Sequence, residues 1–157
     1  MSDARVLDVA VTVVGAGPAG LAAATQLAAR GVGRVLVLDR EDLPGGLPAQ
    51  SEHRGFGLRR HMVPLSGRRY AEHLVADATR AGAEIRLQCT ALRIASREVL
   101  AVSPQGLERY RCRAVVLATG CREAPLAVPG SGGVPAGRHL QHSGGPSIAH
   151  ADARASR

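Results

Sequence analysis

Three glycines near the start of the chain, Gly15, Gly17 and Gly20, have a spacing that suits the binding of a pyrophosphate. They follow a run of β-branched apolar residues and lead into an Ala- and Leu-rich segment, so they lie between a predicted strand and a predicted helix. The first glycine permits a tight turn, the second lets the backbone approach phosphate oxygens, and the third permits close packing of helix on strand. The motif therefore predicts a dinucleotide whose pyrophosphate lies at the positive end of the helix dipole.

Asp39 is a second candidate for contact with the same ligand, because it ends the next apolar run, residues 34–39. A carboxylate at this position accepts hydrogen bonds from ribose hydroxyls and repels a 2′-phosphate, so we expect the site to disfavour NADP. The alternative is a glycine turn and an unrelated surface aspartate. The joint context of strand, glycine turn, helix and strand favours the binding site.

The elements that must position these residues predict an α/β fold with a parallel sheet and a small β-meander. Both faces of the first strand are apolar, as in a strand buried within a parallel sheet. Pro18 suits the first turn of the following helix. Ser66 or Gly67 is the predicted cap of a second helix, after an ordered loop over residues 41–66. The predicted strands are 8–14, 34–39, 83–87 and 114–118, the predicted meander is 91–94, 98–103 and 107–111, and the predicted helices are 21–30 and 68–80.

Composition limits the class of protein. The 157 residues are enough for one domain, and the net charge of +7 comes from 20 basic residues that are all arginine. These arginines are scattered, and three aromatic residues give no stacking platform, so we expect no nucleic-acid partner. The chain has no apolar run of membrane-spanning length, and its first residues lack the pattern of a signal peptide, so we expect neither a membrane span nor secretion. Three cysteines without a CxxC pair argue against a disulfide scaffold. We expect a cytoplasmic protein without a metal site.

Three motifs together resemble the FAD-binding N-terminal part of the pyridine nucleotide–disulfide oxidoreductase superfamily, the two-dinucleotide-binding flavoproteins. They are the segment Val13–Ala24 with its glycines, the pair Gly45-Gly46, and the segment Val116-Leu117-Ala118-Thr119-Gly120. The resemblance implies an FAD-type Rossmann fold in three layers and an FAD cofactor. The cofactor-binding residues that it implies are Gly15, Gly17, Pro18, Ala19, Gly20, Asp39, Arg40, Gly45, Gly46, Ala91, Ala118, Thr119 and Gly120.

The loop after Gly46 is similar to that of the flavoprotein subunits of opine, amine and sarcosine oxidases and of hydrogen cyanide synthase. The resembling residues are Gly45 to Gln50 and His53-x-Gly55-Phe56-Gly57, although Ala49 stands where the family often has arginine. This implies oxidation of a small amine or amino-acid-like substrate, with other oxidase subunits as partners. His53 is the one catalytic candidate, and a solvated or loop-stabilising role is its alternative. Residues 45–66 contain no cysteine, so we expect no thiol–disulfide chemistry.

By the same resemblance, the chain is incomplete at its C-terminus, because the family continues with an NAD(P)-binding domain and a last strand of the FAD domain. We predict a truncated FAD-binding domain over residues 1–130 and an unstructured tail over 131–157, and we hypothesise that a frameshift near Gly137 produced the tail. Two functions stay open. One is an FAD-dependent oxidoreductase or a fragment of one, and the other is a non-catalytic dinucleotide-binding module or a subunit whose flavin site is completed by a partner chain.

Overall fold

The computed structural model describes residues 5–58 and 62–121. The chain divides into two compact units, residues 1–120 and 121–157, and all of the second unit except Cys121 lies outside the described residues. The predicted domain end at residue 130, the tail and the frameshift near Gly137 also lie outside them and stay predictions.

A parallel four-stranded sheet forms the centre of the first unit. Its strand order is β10-β2-β3-β6. The two middle strands are buried at every position, as expected for segments in which every residue except Thr12 is valine or leucine. The strands are β2 (Val11–Val14), β3 (Val35–Leu38), β6 (Glu84–Arg86) and β10 (Ala114–Leu117).

A second four-stranded sheet, in the order β1-β9-β8-β7, packs against one face of the central sheet. Its three later strands are the predicted antiparallel meander, and β1 adds to it in parallel with β9. The strands are β1 (Arg5–Asp8), β7 (Thr90–Ala95), β8 (Glu98–Ser103) and β9 (Gly106–Arg111).

Two helices cover the opposite face of the central sheet, namely α1 (Pro18–Ala29) and α2 (Gly67–Arg80). Ser66 caps α2, since its hydroxyl accepts a hydrogen bond from the backbone N–H of Arg69 at 3.4 Å. The segment between β3 and α2 contains a short 3-10 helix, Leu47–Gln50, and a hairpin of β4 (Arg54–Phe56) and β5 (Leu65–Ser66).

Two apolar clusters hold these three layers together. One lies between the central sheet and the helices, with Val13, Leu21 and Leu74 among its buried members. The other lies between the two sheets and includes Leu36, Val99 and Tyr110. This arrangement confirms the predicted FAD-type Rossmann fold, a three-layer α/β domain with a parallel sheet and a meander.

The prediction of one strand over residues 8–14 is wrong, because two strands occupy this segment. Asp8 ends β1, and the backbone N–H of Val9 still bonds to Arg111 in the meander at 3.0 Å. The N–H of Ala10 bonds instead to Arg34, at the entry of β3, at 2.8 Å. The chain therefore passes from one sheet to the other at Val9–Ala10, a change of partner that the apolar pattern does not reveal.

Candidate dinucleotide-binding site

The predicted glycine turn lies at the carboxyl ends of three adjacent strands. Gly15 follows β2, and its N–H donates to the carbonyl of Leu38 in β3 at 2.8 Å. On the other side, the N–H of Ala118 after β10 donates to the carbonyl of Val14 at 2.9 Å. The pairing of β2 with β10 thus brings together two motifs that lie about a hundred residues apart in sequence. Ligands of open parallel sheets bind at this edge.

Gly15 and Gly20 are required by packing within the protein. Gly15 has φ of +110°, and a Cβ there would lie 2.2 Å from the carbonyl oxygen of Ala118 and 3.3 Å from the N of Thr119. A Cβ on Gly20 would lie 1.9 Å from the carbonyl oxygen of Gly15. These two glycines therefore let α1 and the 118–119 segment close tightly on the turn.

Gly17 differs, because a Cβ there would meet nothing within 4 Å. It is the N-cap of α1, and Pro18 begins the helix. Because the first N–H groups of a helix have no intrahelical partner, those of Ala19 and Gly20 are directed toward the space in front of the helix. The space beside Gly17 is therefore one that a Cβ would fill and a phosphate can use, and the residues fit the pyrophosphate of a dinucleotide.

Gly45 and Gly46 pack against this turn. The N–H of Gly45 donates to the carbonyl of Ala16 at 2.8 Å. A Cβ on Gly46, where φ is +63°, would lie 3.1 Å from the Cα of Gly17. At Gly45 a Cβ would lie 2.5 Å from that of Ala71 in α2. The pair therefore brings its loop close to the helix N-terminus, with Gly46 on the side of Gly17.

Asp39 links the turn after β2 to the loop after β3. Its Oδ2 accepts from the backbone N–H of Ala16 at 2.5 Å, and its Oδ1 accepts from the N–H of Glu41 at 3.0 Å. A carboxylate offers about four acceptor positions, so both oxygens retain capacity for ribose hydroxyls. Arg40 is exposed and pairs with Glu41 at 3.0 Å, an ion pair of little weight for stability.

The remaining predicted cofactor positions differ in their surroundings. Thr119 and Gly120 are exposed after β10, and the backbone of Thr119 lies beside Gly15. Ala91 pairs with Ala101 in the meander, and its side chain packs against the cluster between the two sheets. We therefore expect a cofactor contact of Ala91 to involve its backbone.

His53 is exposed and lies immediately before β4. Its Nδ1 lies 2.6 Å from the hydroxyl of Ser51, and its ring lies 5.0 Å from the ring of Phe56. Phe56 in turn stacks on Tyr70 of α2 at 6.1 Å. These contacts are those of a loop-stabilising histidine, and a catalytic role for it stays a prediction.

Ala16 and a buried polar cluster are the features that the sequence interpretation missed. The cluster joins β6 to β9. The Tyr110 hydroxyl donates to Glu108 at 2.6 Å, and Nη1 of Arg86 donates to Glu108 at 3.2 Å and to the Tyr110 oxygen at 3.1 Å. Glu108 is only 4% exposed, and the guanidinium carbon of Arg86 lies 5.7 Å from the centre of the Tyr110 ring. In the sequence, the one available signal was the spacing of Glu108 and Tyr110, which stand two residues apart in the predicted strand 107–111 and therefore share a face.

Burial and hydrogen bonds together shift the pKa values within this cluster. Desolvation, followed by its hydrogen bond to Glu108, raises the pKa of the Tyr110 hydroxyl, so the tyrosine stays a donor. Desolvation also raises the pKa of the Cys89 thiol, whose sulfur lies 3.8 Å from the same hydroxyl. Burial lowers the pKa of Arg86, but its hydrogen bonds to Tyr110 and Glu84 outweigh that effect and leave the pKa raised.

A cavity of about 710 Å³ lies apart from the candidate phosphate site. It lies between α2 and the 43–49 loop, and its lining is mainly apolar, with Leu43, Val75 and Ala76 among its residues. Such a lining does not offer the backbone N–H groups that bind a pyrophosphate. The strand ends and the glycine turn therefore define the candidate site.

Residues 5–58 and 62–121 contain no membrane-spanning helix and no metal cluster. Neither helix in these ranges has the length and apolar character needed to cross a membrane. No three His, Cys, Asp or Glu side chains within them are grouped to hold a metal ion. Cys89 and Cys112 are buried, whereas Cys121 is exposed.

Solved structures share this fold. The crystal structure of L-proline dehydrogenase from P. horikoshii matches 80% of this chain and 25% of its own, with a TM-score of 0.67 and 24% identity. Thioredoxin reductase from T. acidophilum matches 77% of this chain and 38% of its own, with a TM-score of 0.62 and 25% identity. These likenesses extend over most of the described residues.

Sequence comparison identifies the family. An opine oxidase subunit of Agrobacterium tumefaciens (strain Ach5) is 39% identical over 129 residues, which cover 75% of this chain and 25% of that protein. This chain thus spans about a quarter of that relative's length. The family model described as pyridine nucleotide-disulphide oxidoreductase matches residues 9–155. The resemblance inferred from the three motifs is confirmed, and the chain belongs to the pyridine nucleotide-disulphide oxidoreductase family.

Proposed function

We propose that this chain binds FAD at the carboxyl ends of β2, β3 and β10 and serves in an FAD-dependent oxidation of a small amine or amino-acid-like substrate. The observation that carries the proposal is the open space beside Gly17 at the N-terminus of α1, in a turn that Gly46 packs against and that the carboxylate of Asp39 binds through the N–H of Ala16. The substrate class rests on the name of the relative that is 39% identical, an opine oxidase subunit.

The residues of the turn would bind and orient the adenosine diphosphate part of the cofactor. The free N–H groups at the start of α1 would donate to the pyrophosphate, and Asp39 would accept from the ribose hydroxyls. FAD, when bound, supplies the redox chemistry, while the protein supplies its position and its electrostatic surroundings. The substrate class and the cytoplasmic location both belong to this proposal.

A second candidate function is a flavin-binding subunit whose site is completed by another chain. Within the described residues, β10 is paired with β2 on one side only, and Leu117 at its end is 66% exposed. A partner strand could extend the sheet at this edge. The relative is named as one subunit of an oxidase, which agrees with an assembly.

Flavin reconstitution tests the proposal. The purified chain is incubated with FAD, and free flavin is removed by gel filtration before flavin absorbance is measured. We expect about one flavin per chain and roughly tenfold weaker binding in Asp39→Asn, because hydrogen bonds to a charged group are among the strong ones. Asp42→Asn is the matched control, since this exposed carboxylate lies three residues away and should leave binding unchanged.

The outcomes separate the two functions. Retained flavin that small amines reduce supports the oxidoreductase. Retained flavin that no amine reduces until a partner chain is added supports the second candidate. A chain that neither retains FAD nor binds ADP overturns both.

A further inference from the structure

The cluster of Arg86, Glu108 and Tyr110 lies outside the glycine turn, yet it is connected to Asp39 through the backbone. The N–H of Asp39 donates to the carbonyl of Arg86 at 2.9 Å, and the carbonyl of Asp39 accepts from the N–H of Cys89 at 2.7 Å. Arg86 and Cys89 are also the two residues of this segment whose side chains contact the Tyr110 hydroxyl. One hydroxyl of the meander thus touches both residues that hold the backbone of Asp39.

The segment between these two residues has a conformation that needs such support. Gln88 has φ of +52°, in the left-handed region that non-glycine residues rarely adopt, and its N–H donates to the carbonyl of Glu41 at 2.9 Å. Glu41 is the residue whose own N–H donates to Oδ1 of Asp39. Residues 86–89 therefore form a brace along the 39–41 loop, and the cluster fixes this brace to the meander.

We propose that Tyr110, Glu108 and Arg86 are positioning residues for the Asp39 carboxylate, and that they set the preference of the site for a ligand with free ribose hydroxyls. The proposal rests on the proposed function, since it assigns Asp39 to the ribose. Because Glu108 is buried and accepts from both partners, the loss of one donor leaves a poorly satisfied carboxylate, and the brace can relax. Asp39 then loses the alignment that its ribose hydrogen bonds require.

The test compares ADP with 2′,3′-dideoxy-ADP by isothermal titration calorimetry. We expect the wild-type chain to prefer ADP by about tenfold, since hydrogen bonds to a charged carboxylate are lost with the hydroxyls. Asp39→Asn should remove most of that preference. Tyr110→Phe keeps the ring but removes the hydroxyl, and it should reduce the preference at least threefold while both ligands still bind. In Asp39→Asn, adding Tyr110→Phe should change the preference little further.

Val9→Ala is the matched control for a merely structural effect. Val9 is buried in the same apolar cluster between the two sheets, but its backbone bonds to Arg111 rather than to residues 86–89. This variant should lose stability and retain the wild-type preference for ADP. If circular dichroism shows that Tyr110→Phe does not fold, Glu108→Gln is measured in the same way.

Three results would overturn the inference. The first is a folded Tyr110→Phe variant, or Glu108→Gln in its place, with the full wild-type preference. The second is an equal loss of preference in Val9→Ala. In both, the proposed function would stand, because ADP still binds with its preference in the wild type. The third is a wild-type chain that does not bind ADP, and the proposed function is overturned together with the inference if that chain also retains no FAD.

Discussion

A Cβ on Gly20 would lie 1.9 Å from the carbonyl oxygen of Gly15, although the two are five positions apart in the sequence. The two backbones touch where α1 begins to pack on the central sheet. Gly17, between them, has open space where its Cβ would lie. Two glycines of one motif therefore serve different purposes, one for packing and the other for a ligand.

Gly20→Ala should lower the free energy of unfolding by about 2 kcal/mol or more, because the turn must open to admit the methyl group. Gly17→Ala should lower it by less than about 1 kcal/mol, the cost of an alanine at an N-cap. Gly17→Ala should nevertheless lose most of its FAD binding, since the methyl group occupies the expected place of the phosphate. Urea unfolding and flavin retention, measured on both variants, check this separation. Equal stability losses with unchanged binding would contradict it.

Thr12→Val should stabilise the protein. Thr12 is fully buried in β2, and its hydroxyl has no hydrogen-bond partner within the described part of the chain. Valine has nearly the same shape without the polar atom, so we expect a gain of about 1 kcal/mol in the free energy of unfolding. Thr25→Val is the matched control, because that hydroxyl donates to the carbonyl of Leu21 at 2.8 Å. Thermal unfolding should show a rise for the first variant and none for the second.

Glu84 should make stability depend on pH at the acid end. Burial raises the pKa of Glu84, but hydrogen bonds from Arg34 and Arg86 outweigh it and hold the pKa below its usual value of 4.5. A lowered folded-state pKa gives stability that is present above the unfolded value and is lost as the pH falls below it. The loss of stability below pH 4.5 should therefore be shallower in Glu84→Gln than in the wild type.

The size of this effect is limited by solvent, since the Glu84 side chain is 38% exposed. High salt should accordingly bring the two acid profiles closer together. Urea midpoints measured from neutral pH downward, at low and high salt, provide the comparison. A steeper loss of stability at acid pH in Glu84→Gln than in the wild type would contradict this prediction.

Leu117→Lys should improve solubility. Leu117 is 66% exposed at the end of β10, which has only β2 as a neighbour among residues 5–58 and 62–121. A lysine on such an edge hinders pairing with another chain. Light scattering at increasing concentration should show less self-association of Leu117→Lys than of the wild type. Leu92→Lys, on the edge strand of the other sheet, is the control that tests whether the effect is specific to β10. An effect of equal size in both variants would indicate that the added positive charge, and not the edge of β10, reduces self-association.

The sequence was sufficient for those parts of the fold that depend on local pattern. Uninterrupted apolar runs predicted β3 and β10 to within one or two residues, and Ser66 was one of the two predicted caps of α2. The glycine turn was equally predictable, because its chemistry and its packing require glycine at fixed spacings. Each of these features is determined by residues that lie close together in the sequence.

Long-range partners could not be predicted in the same way. The strands Arg54–Phe56 and Leu65–Ser66 are too short to show an alternation of apolar and polar residues. The sequence therefore predicted a loop where the structure has a hairpin. The cluster of Arg86 and Tyr110 brings together residues 24 positions apart, from β6 and β9. A buried glutamate such as Glu108 looks like any surface charge until its partners are known.

The first strands of this domain pair with strands that are synthesised late. Arg5–Asp8 lies beside Glu108–Arg111, with a separation of 103 residues between the paired Asp8 and Arg111, and β2 lies beside β10. Closing such long loops delays folding, because their entropy is lost before the contacts form. On the ribosome, the glycine turn emerges early but has no stable strand on the β10 side until residue 117 has left the exit tunnel. Stable cofactor binding is therefore expected to follow, and not to guide, completion of the central sheet.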